Sequence, residues 1–308
     1  MAPENNNILI ILGPTCVGKS ATAIKAAKDF DGEIINCDSM QVYRGFNIGT
    51  DKIPPQKRDG IPHHLIDVAD PSSQFTAADF VHLSLEAVGD IQKRQRLPII
   101  TGGTGLYLKA LLDGLFPGGK SRPDIRKHLE KTVKEKGLES LFERLKTVDP
   151  VYAEKIGAND RIRIIRALEV FQATKIPLSE HFVRTRSFVG DFFILKIGLK
   201  LERQVLYKKI EDRVDRMFES GLVDEVRDLL DKGVEEDSPP FRALGYKHAL
   251  RYLYKELTLE DAVMMTKRDT RQYAKRQMTW FRKMEGIRWF FADEYNPLRD
   301  CLQQVFKK

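Results

Sequence analysis

One octapeptide restricts the fold more than any other part of the chain. Gly13-Pro14-Thr15-Cys16-Val17-Gly18-Lys19-Ser20 carries the spacing G-x-x-x-x-G-K-[ST] of a phosphate-binding loop. An apolar run, Ile8-Leu9-Ile10-Ile11-Leu12, precedes it, and a helical stretch over residues 21–30 follows. In that order the loop turns backbone N–H groups toward an anion, and the helix N-terminus adds positive potential. Lys19 adds a full charge and Ser20 offers a hydroxyl to a metal ion. The expected ligand is a phosphate or pyrophosphate group. The loop alone leaves open what bears that group.

A loop of this kind needs a parallel sheet behind it. Residues 33–37 read as a second strand ending at Asp38, and residues 64–67 as a short third. Residues 97–101 read as a fourth, ending in Gly102-Gly103-Thr104-Gly105. Residues 76–94 read as a helix with Phe80, Leu83, Ala87 and Ile91 at helical spacing. Short apolar strands with helical crossovers imply a sheet covered on both faces, with ligands at the carboxyl ends of its strands. Those ends carry the phosphate loop, Asp38, Asp67 and the glycine turn.

Composition shifts at Phe116-Pro117-Gly118-Gly119-Lys120. From there to about residue 191 the chain reads as helical and basic. Strand character returns over residues 192–199, as a further buried strand of the first sheet. The remainder reads as mostly helical, with helices over 203–218 and 222–232 on either side of Gly221. The expected fold is α/β: a core like that of the P-loop NTPases, over 1–119 and 191–308, with a helical insertion over 120–190 and a helical C-terminal region.

The chain has 308 residues, 42% apolar and 31% charged, which suits a soluble globular protein. No apolar run approaches the roughly 20 residues of a membrane span, and the N-terminus does not read as a secretory signal. Cys16, Cys37 and Cys301 are widely spaced and odd in number. They suggest neither a disulfide framework nor a zinc site, but a reducing, cytoplasmic setting. The net charge of +7 is unevenly spread. Residues 120–190 hold 16 Lys and Arg against 10 Asp and Glu, and residues 267–283 hold 7 against 1. The rest of the chain is acidic. Two basic segments fit a large polyanionic partner, or else two solvated helical faces.

Asp38, at a strand end, can hold a metal, accept a proton or cap the next helix. Asp67 admits the same roles and is read as structural. His63 and His64 alternate across a strand, so one packed and one exposed histidine is favoured over a metal pair. The glycine turn should present backbone amides and the Thr104 hydroxyl to the same crevice as the phosphate loop. Over 267–283, Arg268, Arg271, Lys275 and Arg282 fall on one helical face beside an apolar face of Ala274, Met278 and Phe281. A helix of that kind can pack on the core and offer cations to a nucleic-acid backbone.

These blocks together resemble the tRNA dimethylallyltransferases, also called tRNA isopentenyltransferases. The resemblance is carried by residues 13–20, by Asp38-Ser39-Met40-Gln41-Val42-Tyr43-Arg44, and by Ile48-Gly49-Thr50-Asp51-Lys52. It continues through His63-His64-Leu65-Ile66-Asp67 and Gly102-Gly103-Thr104-Gly105-Leu106-Tyr107. The later blocks are residues 163–170, Arg242-Ala243-Leu244-Gly245-Tyr246, and Lys275-Arg276-Gln277-Met278-Thr279-Trp280-Phe281-Arg282. It covers nearly the whole chain in order. The chain resembles the bacterial form, since it has no cysteines for the C-terminal zinc finger usual in eukaryotic members.

The resemblance implies transfer of a dimethylallyl group from its diphosphate to N6 of the adenine just 3′ of the anticodon, position 37 of the tRNA, with release of diphosphate. It implies that Gly13, Pro14, Thr15, Cys16, Val17, Gly18, Lys19, Ser20 and Arg213 hold the donor diphosphate, with Mg²⁺ as cofactor and Ser20 as its protein ligand. Asp38 would be the base and Thr104 would position the reactants. Contacts to the tRNA anticodon stem-loop would come from Asp38, Ser39, Met40, Gln41, Thr104, Arg126, Arg163, Arg242, Ala243, Leu244, Gly245, Tyr246 and Lys247, and from residues 275–282. A monomer without an obligate protein partner is expected. Two departures from the family pattern stand out: Cys16-Val17 in the loop, where smaller residues are usual, and Asp160-Arg161-Ile162-Arg163-Ile164 in place of a Gln-Arg-Leu version.

Three other readings share these residues. A prenyltransferase acting on free adenine nucleotides would have less use for the basic segments. A P-loop small-molecule kinase would show ATP-dependent phosphoryl transfer, with Asp38 and Asp67 linked to a metal. An RNA-binding P-loop protein would bind a nucleotide and catalyse no transfer.

Overall fold

The computed structural model describes residues 6–116 and 122–306. The sequence-derived boundary between residues 119 and 120 lies outside them. Two compact units are present, one of residues 1–108 with 191–308 and the other of residues 109–190.

The first unit is built on six parallel strands: β1 (Asn7–Leu12), β2 (Gly32–Cys37), β3 (His63–His64), β4 (Leu97–Gly102), β5 (Phe193–Lys200) and β6 (Ile287–Phe291). Their order across the sheet is β3-β2-β4-β1-β5-β6. β1 lies between β4 and β5, with Leu9 opposite both Ile99 and Leu195. Its residues Ile8 to Leu12 are at most 1% exposed, as a strand covered on both faces requires.

Helices α1 (Lys19–Asp29), α2 (Ala77–Lys93) and α3 (Gly105–Asp113) follow β1, β3 and β4. Thr76 opens α2 with a reciprocal capping box to Asp79. At the far end of β2, Glu33 is buried and accepts hydrogen bonds from Arg94, Arg96 and His64. Burial alone would raise its pKa. Hydrogen bonds from Arg94, His64 and Arg96 outweigh that and bring it down to about 2.

The second unit is helical: α4 (Pro123–Val148), α5 (Pro150–Ala153), α6 (Arg161–Thr174) and α7 (Leu178–Arg184). α4 breaks at Gly137, whose φ is 80°. Leu129, Leu141, Leu145, Ile164, Ile165 and Leu168 form its core. Back in the first unit come α8 (Arg203–Glu219), α9 (Leu222–Asp231), α10 (Leu244–Leu253), α11 (Leu259–Phe281) and α12 (Tyr295–Val305).

Two sequence expectations are corrected. The third strand spans only His63 and His64, because Leu65 and Asp67 take φ of 60° and 58°, a left-handed backbone that no strand accommodates. The two histidines are both half-buried rather than one packed and one exposed. His63 Nδ1 lies 2.8 Å from the Ile61 carbonyl and His64 Nε2 lies 2.7 Å from Glu33 Oε2. Residues beyond 201 are mostly helical, as expected, and add β6, which pairs with β5 from Lys196 opposite Ile287.

Candidate active site

Where the first three long strands end, the chain builds a cavity of about 720 Å³ within the first unit. Thr15, Cys16, Gly18, Lys19 and Ser20 line one wall, and Asp38, Ser39, Met40 and Gln41 another. Arg213 from α8, Arg242 to Gly245 at the start of α10, and Thr266, Thr270 and Tyr273 from α11 complete it.

The loop geometry follows from its residue types. Gly18 precedes the first residue of α1 with φ 107°, a conformation glycine takes without steric cost. Gly13, with φ 153°, sits where a Cβ would lie 2.7 Å from the Leu199 carbonyl. Val17 is fully buried and anchors the loop, while Cys16 adopts φ 64°. The Cys16 thiol is pushed up by burial, so it is a weak nucleophile at neutral pH.

Lys19 as a whole keeps some exposed surface, but its ammonium is enclosed and donates to the Pro14 carbonyl at 2.8 Å. Burial lowers its pKa to about 8, and the nearby Asp38 carboxylate opposes that drop. Arg213 is largely buried. Its Nη1 lies 3.4 Å from Asp51 Oδ2, while its Nε is buried with no hydrogen-bond partner among the described residues. Arg213 also lines the cavity, where the charge of its guanidinium suits an anion.

Asp38 has a capping role and an available oxygen at once. Its Oδ1 accepts from the backbone N–H groups of Met40 at 2.8 Å and Gln41 at 3.4 Å. Among the described residues Oδ2 has no hydrogen-bond partner. Thr104 is not part of the cavity lining. Its Oγ1 accepts from the Ser39 N–H at 3.0 Å, which ties the segment after Asp38 to the turn after β4. Asp67 has a structural partner, the buried Lys52 ammonium at 2.6 Å.

The glycine turn differs from expectation. Thr104 spends its N–H on the Cys37 carbonyl. A Cβ on Gly102 would strike that same carbonyl, one on Gly103 would strike the Gln277 amide, and one on Gly105 would strike the Trp280 ring. The turn is a slot for α11 and the end of β2, not a second anion cradle.

Burial also corrects part of the expected tRNA surface. Tyr246 is 0% exposed, packs against Phe46 and Phe241, and donates its hydroxyl proton to Glu225. Gln277 is 6% exposed and Phe281 0%. Gly245 is buried as well. None of these side chains faces outward. Arg242, Lys247, Lys275, Arg276, Thr279, Trp280 and Arg282 do, and Met278 is half-buried. Three of the seven cations over residues 267–283 are already neutralised: Arg271 pairs with Glu211 and Lys267 with Asp215, each at 2.6 Å, and Arg268 pairs with Asp269. Among the described residues Lys275, Arg276, Arg282 and Lys283 form no ion pair.

In the second unit, Arg126 and Arg163 are exposed on α4 and α6. Each pairs weakly within its own helix or cap, with Glu130 at 3.4 Å and Asp160 at 3.3 Å. Asp160 caps α6 by accepting from the Arg163 N–H, which accounts for an aspartate there.

Sequence reading missed Lys209, Asp212 and Arg216 of α8 and Thr266, Thr270 and Tyr273 of α11, all lining the cavity. Spacings of four and three along α11 were the available signal for the last three. As metal donors the cavity offers Ser20, Asp38, Asp51 and Asp212, all hard oxygens. No group of three or more His, Cys, Asp or Glu among the described residues converges on one point. That set fits Mg²⁺, which takes most of its ligands from phosphate and water, and not a metal held in a protein cage.

Known proteins share this architecture and sequence. The "IPP transferase" family model matches residues 41–284. The chain is 48% identical over 283 residues to tRNA dimethylallyltransferase 2 of Geotalea uraniireducens, covering 92% of this chain and 91% of that protein. It is 45% identical over 305 residues to the tRNA dimethylallyltransferase of Carboxydothermus hydrogenoformans, covering 99% and 96%. Among solved structures, the tRNA isopentenylpyrophosphate transferase of Bacillus halodurans superposes with a TM-score of 0.73 at 39% identity, covering 98% and 97%. A eukaryotic dimethylallyltransferase acting on tRNA gives 0.80 at 32%, covering 97% of this chain and 78% of that one. The chain belongs to the IPP transferase family.

Proposed function

We infer that the protein is a tRNA dimethylallyltransferase. It moves a dimethylallyl group from dimethylallyl diphosphate to N6 of the adenine just 3′ of the anticodon. The observation that carries the mechanism is the single cavity that joins the loop carrying Lys19 to the Asp38 carboxylate.

The diphosphate sits against the loop, with the positive charges of Lys19 and Arg213 meeting its own. Neutralising that charge where it develops weakens the allylic C1–O bond. Mg²⁺, with Ser20 as its protein ligand, supplies Lewis-acid stabilisation of the leaving diphosphate when bound. N6 of the adenine attacks C1, the C1–O electron pair leaves with the diphosphate, and Asp38 takes the N6 proton through Oδ2. Oδ1 stays committed to the Met40 and Gln41 amides, which holds the carboxylate in place. A stacked base reaches an enclosed donor only after it is flipped out. Arg242 to Leu244 and Tyr273 line its way in.

The tRNA backbone meets Lys275, Arg276 and Arg282, with Arg126 and Arg163 of the second unit contacting the stem-loop. In this reading the protein works as a monomer without an obligate protein partner. Three free cysteines fit a cytoplasmic setting, and no helix among the described residues is long and apolar enough to cross a membrane.

The direct test is incubation with total tRNA, labelled dimethylallyl diphosphate and Mg²⁺, followed by nucleoside analysis. Prenylated adenosine is expected, and ATP-dependent phosphorylation without prenyl transfer would overturn the reading. Asp38→Ala should cut turnover about 10³-fold and leave tRNA affinity nearly unchanged. Equal losses in both would remove Asp38 as the base.

A further inference from the structure

We propose that Gln277 is a positioning residue that sets the donor loop from within the helix that meets the tRNA. Its side chain is buried where three distant segments meet. The amide oxygen accepts from the Thr15 N–H at 2.8 Å, and the amide nitrogen donates to the Gly103 carbonyl at 2.9 Å. One side chain thereby joins α11 to the phosphate loop and to the turn after β4.

The fit is steric as well as polar. Gly103 has no room for a Cβ because the Gln277 amide occupies that space, and Gly105 has none because Trp280 does. Next to Gly103, Thr104 holds the Ser39 N–H, and Asp38 directly precedes Ser39. The loop that meets the leaving group and the segment that carries the base thus share one hydrogen-bonded frame, and Gln277 closes it.

Gln277 lines no part of the cavity and touches no reacting atom. Its effect on the loop passes through Thr15, and its side chain also meets Tyr273 of the cavity wall. With its N–H held by Gln277, Thr15 fixes the start of the loop, whose residues Cys16, Gly18, Lys19 and Ser20 line the cavity. Lys275, Arg276 and Thr279 lie on the exposed side of the same helical turns. Whatever seats α11 therefore also seats the donor loop, so tRNA engagement and donor affinity are coupled. By linkage that coupling is reciprocal. The tRNA side of this inference rests on the function proposed above.

The experiment compares the full-length wild type with Gln277→Met, a near-isosteric side chain without the two hydrogen bonds, and with Gly103→Ala, which disturbs the same contact from the other side. Inorganic pyrophosphate affinity is measured by calorimetry, tRNA affinity by filter binding, and steady-state constants for the donor by prenyl transfer, with thermal melting as the fold control. Both variants should bind pyrophosphate about tenfold more weakly and raise the donor KM by a similar factor. The kcat at saturating donor and the tRNA affinity should stay within about twofold.

Weakened tRNA binding with unchanged pyrophosphate affinity would make Gln277 a tRNA contact and overturn the proposal, as would no change in either. If Gln277→Met melts, Gly103→Ala decides by the same readouts. A wild type that binds pyrophosphate in a Gln277-dependent way yet transfers no prenyl group would overturn the function and leave the positioning role standing.

Discussion

Two glycine-rich turns follow neighbouring strands of one sheet, and each opens a helix. In sequence they look alike. Between β1 and α1, Gly13 and Gly18 are needed for backbone conformation, with φ of 153° and 107°. Around Gly18 the nearest atom to an added Cβ is the Ala292 methyl at 3.9 Å, so space remains. Between β4 and α3, none of Gly102, Gly103 and Gly105 has positive φ. Each instead sits where another segment leaves no room for a side chain. One turn is glycine-rich so that backbone can face a ligand. The other is glycine-rich so that protein can face protein. Backbone torsion separates the two uses, and contact distance alone does not, because Gly13 also has the Leu199 carbonyl 2.7 Å from where its Cβ would lie.

The largest difference between the turns should appear under substitution. Lys19→Ala removes a charge that meets the substrate and little packing, so prenyl transfer should fall about 10³-fold with the denaturation midpoint nearly unchanged. Gly102→Ala drives a methyl into the Cys37 carbonyl and should cost about 3 kcal/mol of stability, read in urea unfolding. If Gly102→Ala were stable and lost only catalysis, the contrast drawn here would fail.

A smaller effect concerns pH. Burial leaves Lys19 with a pKa of about 8, so the cavity loses a positive charge as pH rises through that value. The donor kcat/KM, which reports the free enzyme, should fall as pH rises through about 8, approaching a tenfold loss per unit in the alkaline range. An unbroken plateau to pH 10 would mean that Lys19 does not meet the diphosphate.

The smallest effect lies on the far side of α11 from the slot. Lys275→Ala should weaken tRNA binding a few-fold and lower the salt slope by about one. Lys267→Ala, which removes a cation already paired with Asp215, should change the slope less.

The parts of the fold that the sequence made legible were those with a local cause. β1, β2 and β4 are short apolar runs stopped by turn residues, and Thr76 with Asp79 marks the start of α2 within four residues. β6 was illegible because Ile287-Arg288-Trp289-Phe290-Phe291 is an edge strand with an exposed Arg288, defined by its pairing to β5. In the site, Lys19 and Asp38 were found from motif and strand position, and Arg213 only through the family resemblance. Tyr246 and Gln277 were misread as surface because both are polar residues inside basic motifs. Their burial depends on Glu225, Thr15 and Gly103, between 21 and 262 residues away in the chain.

The second unit enters between α3 and β5, yet its two ends close on one another: a Cβ on Gly114 would collide with the Arg186 carbonyl. β5 must pair with β1 across more than 180 residues, a slow step if the intervening chain searched as one open loop. Once the helical unit folds and brings 114 beside 186, roughly 70 residues drop out of that search. The insertion then acts as a staple that shortens the path to the central sheet. Loop-closure entropy therefore favours an order in which helices 4 to 7 form before strand 5 pairs.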